Sequence, residues 1–314
     1  MLVAACAGSA TGDESIGAVE IDRREPGPIE IGEVTFWSGF DLAMTDPAFG
    51  GLSGLAVSRD GTRLTAVSDT GRWLTADLQH DGGGRLTGLS NLAIRPMLDT
   101  DGRAIPDLPG DQGKTRGDAE ALTHNGRGGF LVGFERNDRV LDYASFEARP
   151  IPLDLPAGVA DLRLNSALEA ITYLADGRLL LIAEAPAPGA TQINAWIRQD
   201  DGWRALTYVM RDGFNVTDVA ALDDGRVIVL ERWFAAPVFL KIRLREITPD
   251  MLDHGAPLDG RIIATFTNPL LIDNFEGLAA RPAPDGGTLL YMISDDNFNG
   301  HQRTLLYQLY LASQ

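Results

Sequence analysis

GLSGLAVSRDGTRLTAVSD, residues 51–69, decides the fold, because four later stretches repeat its plan. They are DAEALTHNGRGGFLVGFE at 118–135, LEAITYLADGRLLLIAE at 168–184, TDVAALDDGRVIVLE at 217–231 and FEGLAARPAPDGGTLLYMISDD at 275–296. In each, an acidic or small polar residue opens a short apolar strand, a Gly-containing turn follows, and a second strand ends on an acidic residue. With Ser53, Glu120, Glu169, Asp218 and Glu276 as openers, the intervals are 67, 49, 49 and 58 residues. That is the scale of a propeller blade, not of a βαβ unit or a short solenoid repeat. No long apolar run of 3.6-residue period intervenes, so helices should be few.

Alternation and turn signals divide the chain after residue 51 into four-strand groups, the last one strand short. The stretch Ile31 to Phe40, IGEVTFWSGF, precedes the first repeat and has no other place to pair. Added as the outer strand of the fifth group, beside residues 303–312, it joins the two ends of the chain and covers a sheet edge. The expectation is therefore an all-β chain, a single closed β-propeller of five blades closed by an N-terminal strand. A six-bladed ring is the rival; it needs four strands from residues 16–52 or 98–118, which are short and rich in Gly, Pro and Asp. Asp99 to Gly117 reads instead as a long loop over one face, the kind of segment that carries specificity on a rigid scaffold.

The 314 residues then make one domain over 25–314, preceded by a signal remnant and flexible tether over 1–24. MLVAAC followed by AGSATGDES resembles the end of a bacterial lipoprotein signal, with the lone Cys6 as the lipidated residue. Such signals need about 7 to 15 apolar residues before the cysteine, so the reading requires a start upstream. It implies a periplasmic or outer-membrane-anchored lipoprotein, touching membrane only through that anchor; otherwise the protein is cytoplasmic. One cysteine excludes an intrachain disulfide. A formal charge of −17 without a basic run argues against nucleic acid or an anionic bilayer as the main partner and favours metal cations or a neutral substrate. A monomer acting on a small anionic or ester substrate is expected.

The inner strand of each blade lines the central channel, so Glu120, Glu169, Asp218 and Glu276 should converge at one mouth with Ser53. Such carboxylates repel unless protonated, paired with arginine or bridged by a cation. Calcium suits an all-oxygen set, while scattered His and a single Cys disfavour zinc or copper. The second-strand ends, Asp69, Glu135, Glu184, Glu231 and Asp295–Asp296–Asn297, should return to the same face by hairpin geometry. Arg72, Arg136, Arg139 and Arg232 accompany them, either lacing the acids together or presenting forks to an anion. Walker, HExxH, GxSxG, CxxC and EF-hand patterns are absent.

GGLSGLAVSRDG, AVSDTGRW, GDAEAL, GFERNDRV, ALEAI, NFEGLAA and YMISDDNF together resemble the bacterial phytase-like propeller family, whose domain is described as having esterase-like activity of phytase. The resemblance spans about residues 45–312. It matches Asp69 and Arg72 to an SDxGR element, Glu120 to DAEGL, and Glu135, Arg136 and Arg139 to FERxxR. Glu276 and Asp295 to Asn297 match NFEGL and SDDN, and the third repeat matches through LEAI; the fourth departs, with Asp218 where a Glu is usual. The resemblance implies an exported metal-dependent hydrolase of phosphate or carboxylate esters acting at the channel mouth. Glu120 and Glu276 take catalytic roles, and Glu120, Glu169, Asp218 and Glu276 hold calcium. Arg72, Glu135, Arg136, Arg139, Asp295, Asp296 and Asn297 bind substrate. The net charge weakens inositol hexakisphosphate as that substrate. The competing expectation is a non-catalytic, calcium-stabilised propeller that binds a ligand or a partner protein, since propellers serve both tasks.

Overall fold

The computed structural model describes residues 14–22, 24–159, 168–184, 190–235, 239–255 and 257–313; Cys6 lies outside them. Three strands precede the first repeat: β1 (Glu14–Val19), β2 (Ile29–Ile31) and β3 (Val34–Met44). The first blade is β4 (Leu52–Val57), β5 (Arg63–Ser68), β6 (Arg72–His80) and β7 (Leu86–Pro96). The second is β8 (Ala119–His124), β9 (Phe130–Phe134), β10 (Arg139–Tyr143) and β11 (Ile151–Pro152). The third is β12 (Leu168–Tyr173), β13 (Leu179–Ala183), β14 (Gln192–Gln199) and β15 (Gly202–Val209). The fourth is β16 (Asn215–Ala221), β17 (Val227–Ala235), β18 (Phe239–Ile247) and β19 (Arg261–Phe266). The fifth contributes β20 (Asn274–Pro282), β21 (Thr288–Asp295) and β22 (Thr304–Leu311).

Each blade is a separate antiparallel sheet, and β4, β8, β12, β16 and β20 neighbour one another in a ring that returns to β4. The propeller is five-bladed and closed, as expected. One turn chemistry recurs in all five blades. An Asx residue accepts a backbone N–H two positions on, from Thr62 to Asp60, Arg127 to Asn125, Arg178 to Asp176, Arg226 to Asp224 and Gly287 to Asp285. The residue between is always glycine; at Gly225, for example, φ is +88°. The Asx side chain fixes the turn and glycine supplies the left-handed step, so each inner hairpin is short and tightly defined.

The N-terminal strand closes the fifth blade by pairing with β22, from Thr304 opposite Leu42 to Leu311 opposite Val34. It runs further than expected, to Met44 and not to Phe40. Two strands flank it that the sequence did not reveal. β2 makes a hairpin with β3, and β1 pairs with it from Glu14 opposite Met44 to Val19 opposite Gly39. Residues 14–19, part of the expected tether, form an edge strand instead; ESIGAV is mostly exposed, which leaves little alternation in the sequence to read.

Apolar clusters fill the seams between blades. Trp73, wholly buried, meets Tyr143 edge-on at 5.2 Å and lies 5.5 Å from Phe130, joining blades one and two. The loop over Asp99–Gly117 contains a short helix, α1 (Gln112–Gly117). Its buried Ile105 anchors it against Gly71, where any side chain would collide with Ile105. That packing brings Lys114 and Asp118 to the mouth. Among the described residues no helix is long and apolar enough to cross a membrane.

Candidate active site at the propeller mouth

Every inner strand opens on a β-bulge. Register shifts fall between Leu52 and Leu55, Ala119 and Ala121, Leu168 and Ala170, Val216 and Asp218, and Phe275 and Gly277. The residues inserted there are Ser53 with Gly54, then Glu120, Glu169, Thr217 and Glu276. A bulge re-aims one side chain without breaking the sheet, and here it sets a ring of five equivalent positions. The fourth member is Thr217, not Asp218. Its hydroxyl donates to the carbonyls of Leu230 and Phe275 at 3.4 and 3.3 Å.

Asp218 stands one position on, where the other blades have Gly54, Ala121, Ala170 and Gly277. This position faces the next blade: a Cβ on Gly54 would press into the backbone N of Leu122. Asp218 is wholly buried there. Its Oδ1 accepts the Val219 N–H at 2.7 Å, and its Oδ2 the Leu278 N–H at 2.6 Å, across the seam between blades four and five. Both oxygens are committed to backbone, so Asp218 is a seam residue and the structure sets it apart from the acids expected to bind metal.

The outer ring follows the same logic. Asp69, Glu135, Glu184 and Asp295 end or follow the second strands, Asp69 and Glu135 donating their N–H groups to Gly51 and Asp118 carbonyls. The equivalent in blade four is Arg232, because Glu231 pairs with Val216, as Phe134 pairs with Ala119. Glu231 is buried outside the mouth. Its carboxylate accepts from Arg243 Nε at 2.6 Å, Tyr208 OH at 2.7 Å and Arg245 Nη1 at 3.3 Å. Arg232 takes the ring position and hydrogen-bonds Asn274 Oδ1 and Glu276 Oε1. Glu276 also accepts from Asn274 Nδ2 at 2.8 Å and Ser53 Oγ at 3.4 Å.

The remaining acids have few partners and crowd one another. Asp118, Glu120 and Glu135 each offer an oxygen within 4.8 Å of the others, and so do Glu135, Glu169 and Glu184, with Glu135 common to both groups. Burial, then the charges of Glu276 and Asp118, push the Glu120 carboxyl well above the usual range; burial and Glu120 do the same to Glu169. Glu135 is pushed up to about 7 by burial and by Asp118 and Glu184, and Asp295 to about 8 by burial and Glu276. Asp69 is raised to about 7, by burial and then by Asp118, Glu276 and Asp296. Its buried Oδ1 has no hydrogen-bond partner. An oxygen-only donor set, two overlapping triads and an orphaned carboxylate oxygen fit a hard divalent cation such as calcium.

The expected anion forks divide. Arg72 lines a cavity of about 450 Å³ with Asp69, Thr70 and Lys114. Arg136 donates its Nε to Asp118 and so braces one of the acid groups. Arg139 turns away: its guanidinium lies 4.1 Å over the Phe134 ring and donates to the carbonyls of Arg116 and Asn137, and burial lowers it to about 10. It fastens the 99–117 loop. Asp296 accepts the N–H groups of Gly51 and Phe298, and Asn297, in a left-handed turn, donates its own to Asp295 Oδ1 at 2.7 Å. These two shape the rim beside Asp69. Asp118 and Lys114 were not singled out from sequence for the site; both come from the long loop after Met97, whose contacts no local pattern reports.

A five-bladed propeller whose inner and outer rings meet in an acid-rich mouth defines the class. The family described as Phytase-like, Esterase-like activity of phytase, matches residues 47–298, and the chain belongs to it. No curated protein matches the chain.

The raised carboxylates have a measurable consequence. In a chelated sample the folded protein holds protons near pH 7 to 8 that the unfolded chain has released near pH 4, so stability falls as pH rises through that range. His80, lowered to about 4 by burial and Arg281, acts in the opposite sense below about pH 6.5. Between pH 6.5 and 8.5 the acids therefore dominate. Scanning calorimetry in EDTA should show the Tm dropping by roughly 3 to 6 °C over that interval, after discounting for solvent screening. A flat or rising Tm would mean the mouth carries no such repulsion.

Proposed function

We propose that the protein is a divalent-cation-dependent hydrolase of phosphate or carboxylate esters acting at this mouth, with calcium as the cation. The observation that carries the reading is the pair of carboxylate triads sharing Glu135, beside a cavity that holds Asp69, Arg72 and Lys114. Asp118, Glu120, Glu135, Glu169 and Glu184 would hold the cation. When bound, it supplies Lewis acidity toward the ester oxygen and toward an attacking water. Arg72 and Lys114 hold the anionic or polarised group of the substrate; Arg offers a fork and Lys a point charge. Asp69 accepts or returns the proton at Oδ1, the atom with no other partner, and its carboxyl near 7 suits that exchange. Glu276, held by Arg232, Asn274 and Ser53, keeps the inner ring in register and is tied to a cation of the chain's own.

The test is a panel of 4-nitrophenyl phosphate, 4-nitrophenyl acetate and a lactone, assayed with calcium and with EDTA. Turnover of at least one ester in calcium, lost on chelation while the fold persists, is the expected result. R72A and K114A should each lower kcat/KM for the phosphate ester by roughly 10- to 100-fold, with a smaller effect on the neutral acetate. Calcium binding without turnover of any ester would favour the non-catalytic ligand-binding propeller.

A further inference from the structure

On the rim beside Glu276, β17 and β18 run on as a two-stranded arm, Trp233 opposite Lys241 and Phe234 opposite Leu240. Facing Leu270 and Ile272, the arm bounds a cavity of about 900 Å³. Its size is that of a small-molecule site, roughly 300 to 1,000 Å³. Phe234 and Phe239 are each 63% exposed, where among the described residues the other exposed large apolar side chains are Ile151, Ile262 and Phe298. Two aromatic rings held in water are unfavourable unless a ligand or partner covers them. Asn274 lines the same cavity and also hydrogen-bonds Arg232 and Glu276, so the apolar room adjoins the acidic mouth across this one side chain.

We infer that this cavity seats the apolar part, aryl or acyl, of a ligand whose charged or ester head lies at the mouth; that the head is an ester rests on the function proposed above. Concavity and the wall shared with the mouth through Asn274 select a small molecule over a protein surface. Charge narrows the class further. Eight mouth carboxylates, Asp69, Asp118, Glu120, Glu135, Glu169, Glu184, Glu276 and Asp295, face Arg136, Arg232 and the Arg72 and Lys114 pair, so a ring bearing many phosphates meets repulsion and leaves the apolar walls unused. A ligand with one anionic or ester head and an apolar body gains from both halves of the site. Lys241, its ammonium 4.8 Å over the Trp233 ring, stiffens the arm against which that body packs.

The experiment compares the Kd of 1-naphthyl phosphate and methyl phosphate by isothermal titration calorimetry in calcium, for the full chain and for F234S/F239S. Both positions are exposed, and circular dichroism checks that the variant folds. The expected result is a preference of about tenfold or more for the naphthyl ester, reduced at least about fivefold in the variant. Equal affinity for the two esters, or a preference that survives the double substitution, overturns the inference. So does a dimer in sedimentation that the variant dissolves, since the arm would then be a contact between copies. Ester turnover is scored separately: a naphthyl preference without turnover removes the hydrolase reading and keeps the cavity, and turnover without preference does the reverse.

Discussion

Replacing Glu120 and Glu169 together by Gln is expected to raise the Tm of the chelated protein at pH 8 by roughly 4 to 8 °C, while abolishing its response to calcium. Both carboxyls are pushed far upward by burial and by neighbouring carboxylates, so at pH 8 the folded state must either bear their charge or take up protons that the unfolded chain has released, and the neutral amides do neither. The wild type regains that loss only through a cation: at about 100 times Kd, binding adds about 2.7 kcal/mol, or roughly 5 °C for a chain of this size. The double variant loses one member from each triad, so calcium should move its Tm by less than about 1 °C. Ester turnover in calcium should fall by about three orders of magnitude. Thermal unfolding with and without calcium reads both effects. A variant less stable than the chelated wild type would mean that the two acids hold the blades together.

The second large effect lies away from the mouth. Glu231→Ala should destabilise the protein by about 3 to 5 kcal/mol, because it strands the buried guanidinium groups of Arg243 and Arg245. Those side chains are 3% and 0% exposed, and the Glu231 carboxylate lies between them and the Tyr208 hydroxyl. Asp212 and Asp259 also reach Arg243 and Arg245 from the outside, at 2.9 and 2.8 Å, which places the loss toward the lower end. Urea titration at pH 7 measures it. A change under about 1 kcal/mol would show that the network carries little of the seam between blades three and four.

Glu231 and Asp218 match the mouth acids in residue type but not in register. Strand number, blade number and closure were legible because alternation and the Asx–Gly turns recur in every repeat. Ring register was legible in four blades and failed in the fourth, where the acid was used as the marker. The apolar frame gives a different alignment: Val216–Thr217–Asp218–Val219 matches Ala119–Glu120–Ala121–Leu122, Leu168–Glu169–Ala170–Ile171 and Phe275–Glu276–Gly277–Leu278. Read this way, Thr217 falls on the bulge and Asp218 on the seam. Glu231 misled for the complementary reason, since it occupies a position that Phe134 and Ala183 fill elsewhere, and only its long-range arginine partners make a charge tolerable there. Lys114 and Asp118 were out of reach for another reason. α1 is a six-residue turn with no periodicity, and the burial of Ile105 that aims it is set by the neighbouring blade.

The two substitutions separate the halves of the account. One removes carboxyls that burial and mutual repulsion disfavour; the other removes a carboxylate on which two buried arginines depend. In blade four the outer-ring acid has given way to Arg232, and the inner-ring acid to Thr217. The mouth is therefore lopsided: carboxylates from blades two and three face the chain's own cation on blade four. The triads draw only on Asp118, Glu120, Glu135, Glu169 and Glu184, and Arg232 stands near enough to Glu184 to oppose the rise that burial gives its carboxyl.

The central claim is that these triads hold a divalent cation, and a crystal structure grown in calcium and recorded at a wavelength where calcium scatters anomalously tests it most directly. The account predicts an anomalous peak bounded by oxygens of Glu135 and at least two of Asp118, Glu120, Glu169 and Glu184, at about 2.3 to 2.6 Å. A mouth with no peak, in which Arg136 or Arg232 has swung in to neutralise the triads, would contradict it.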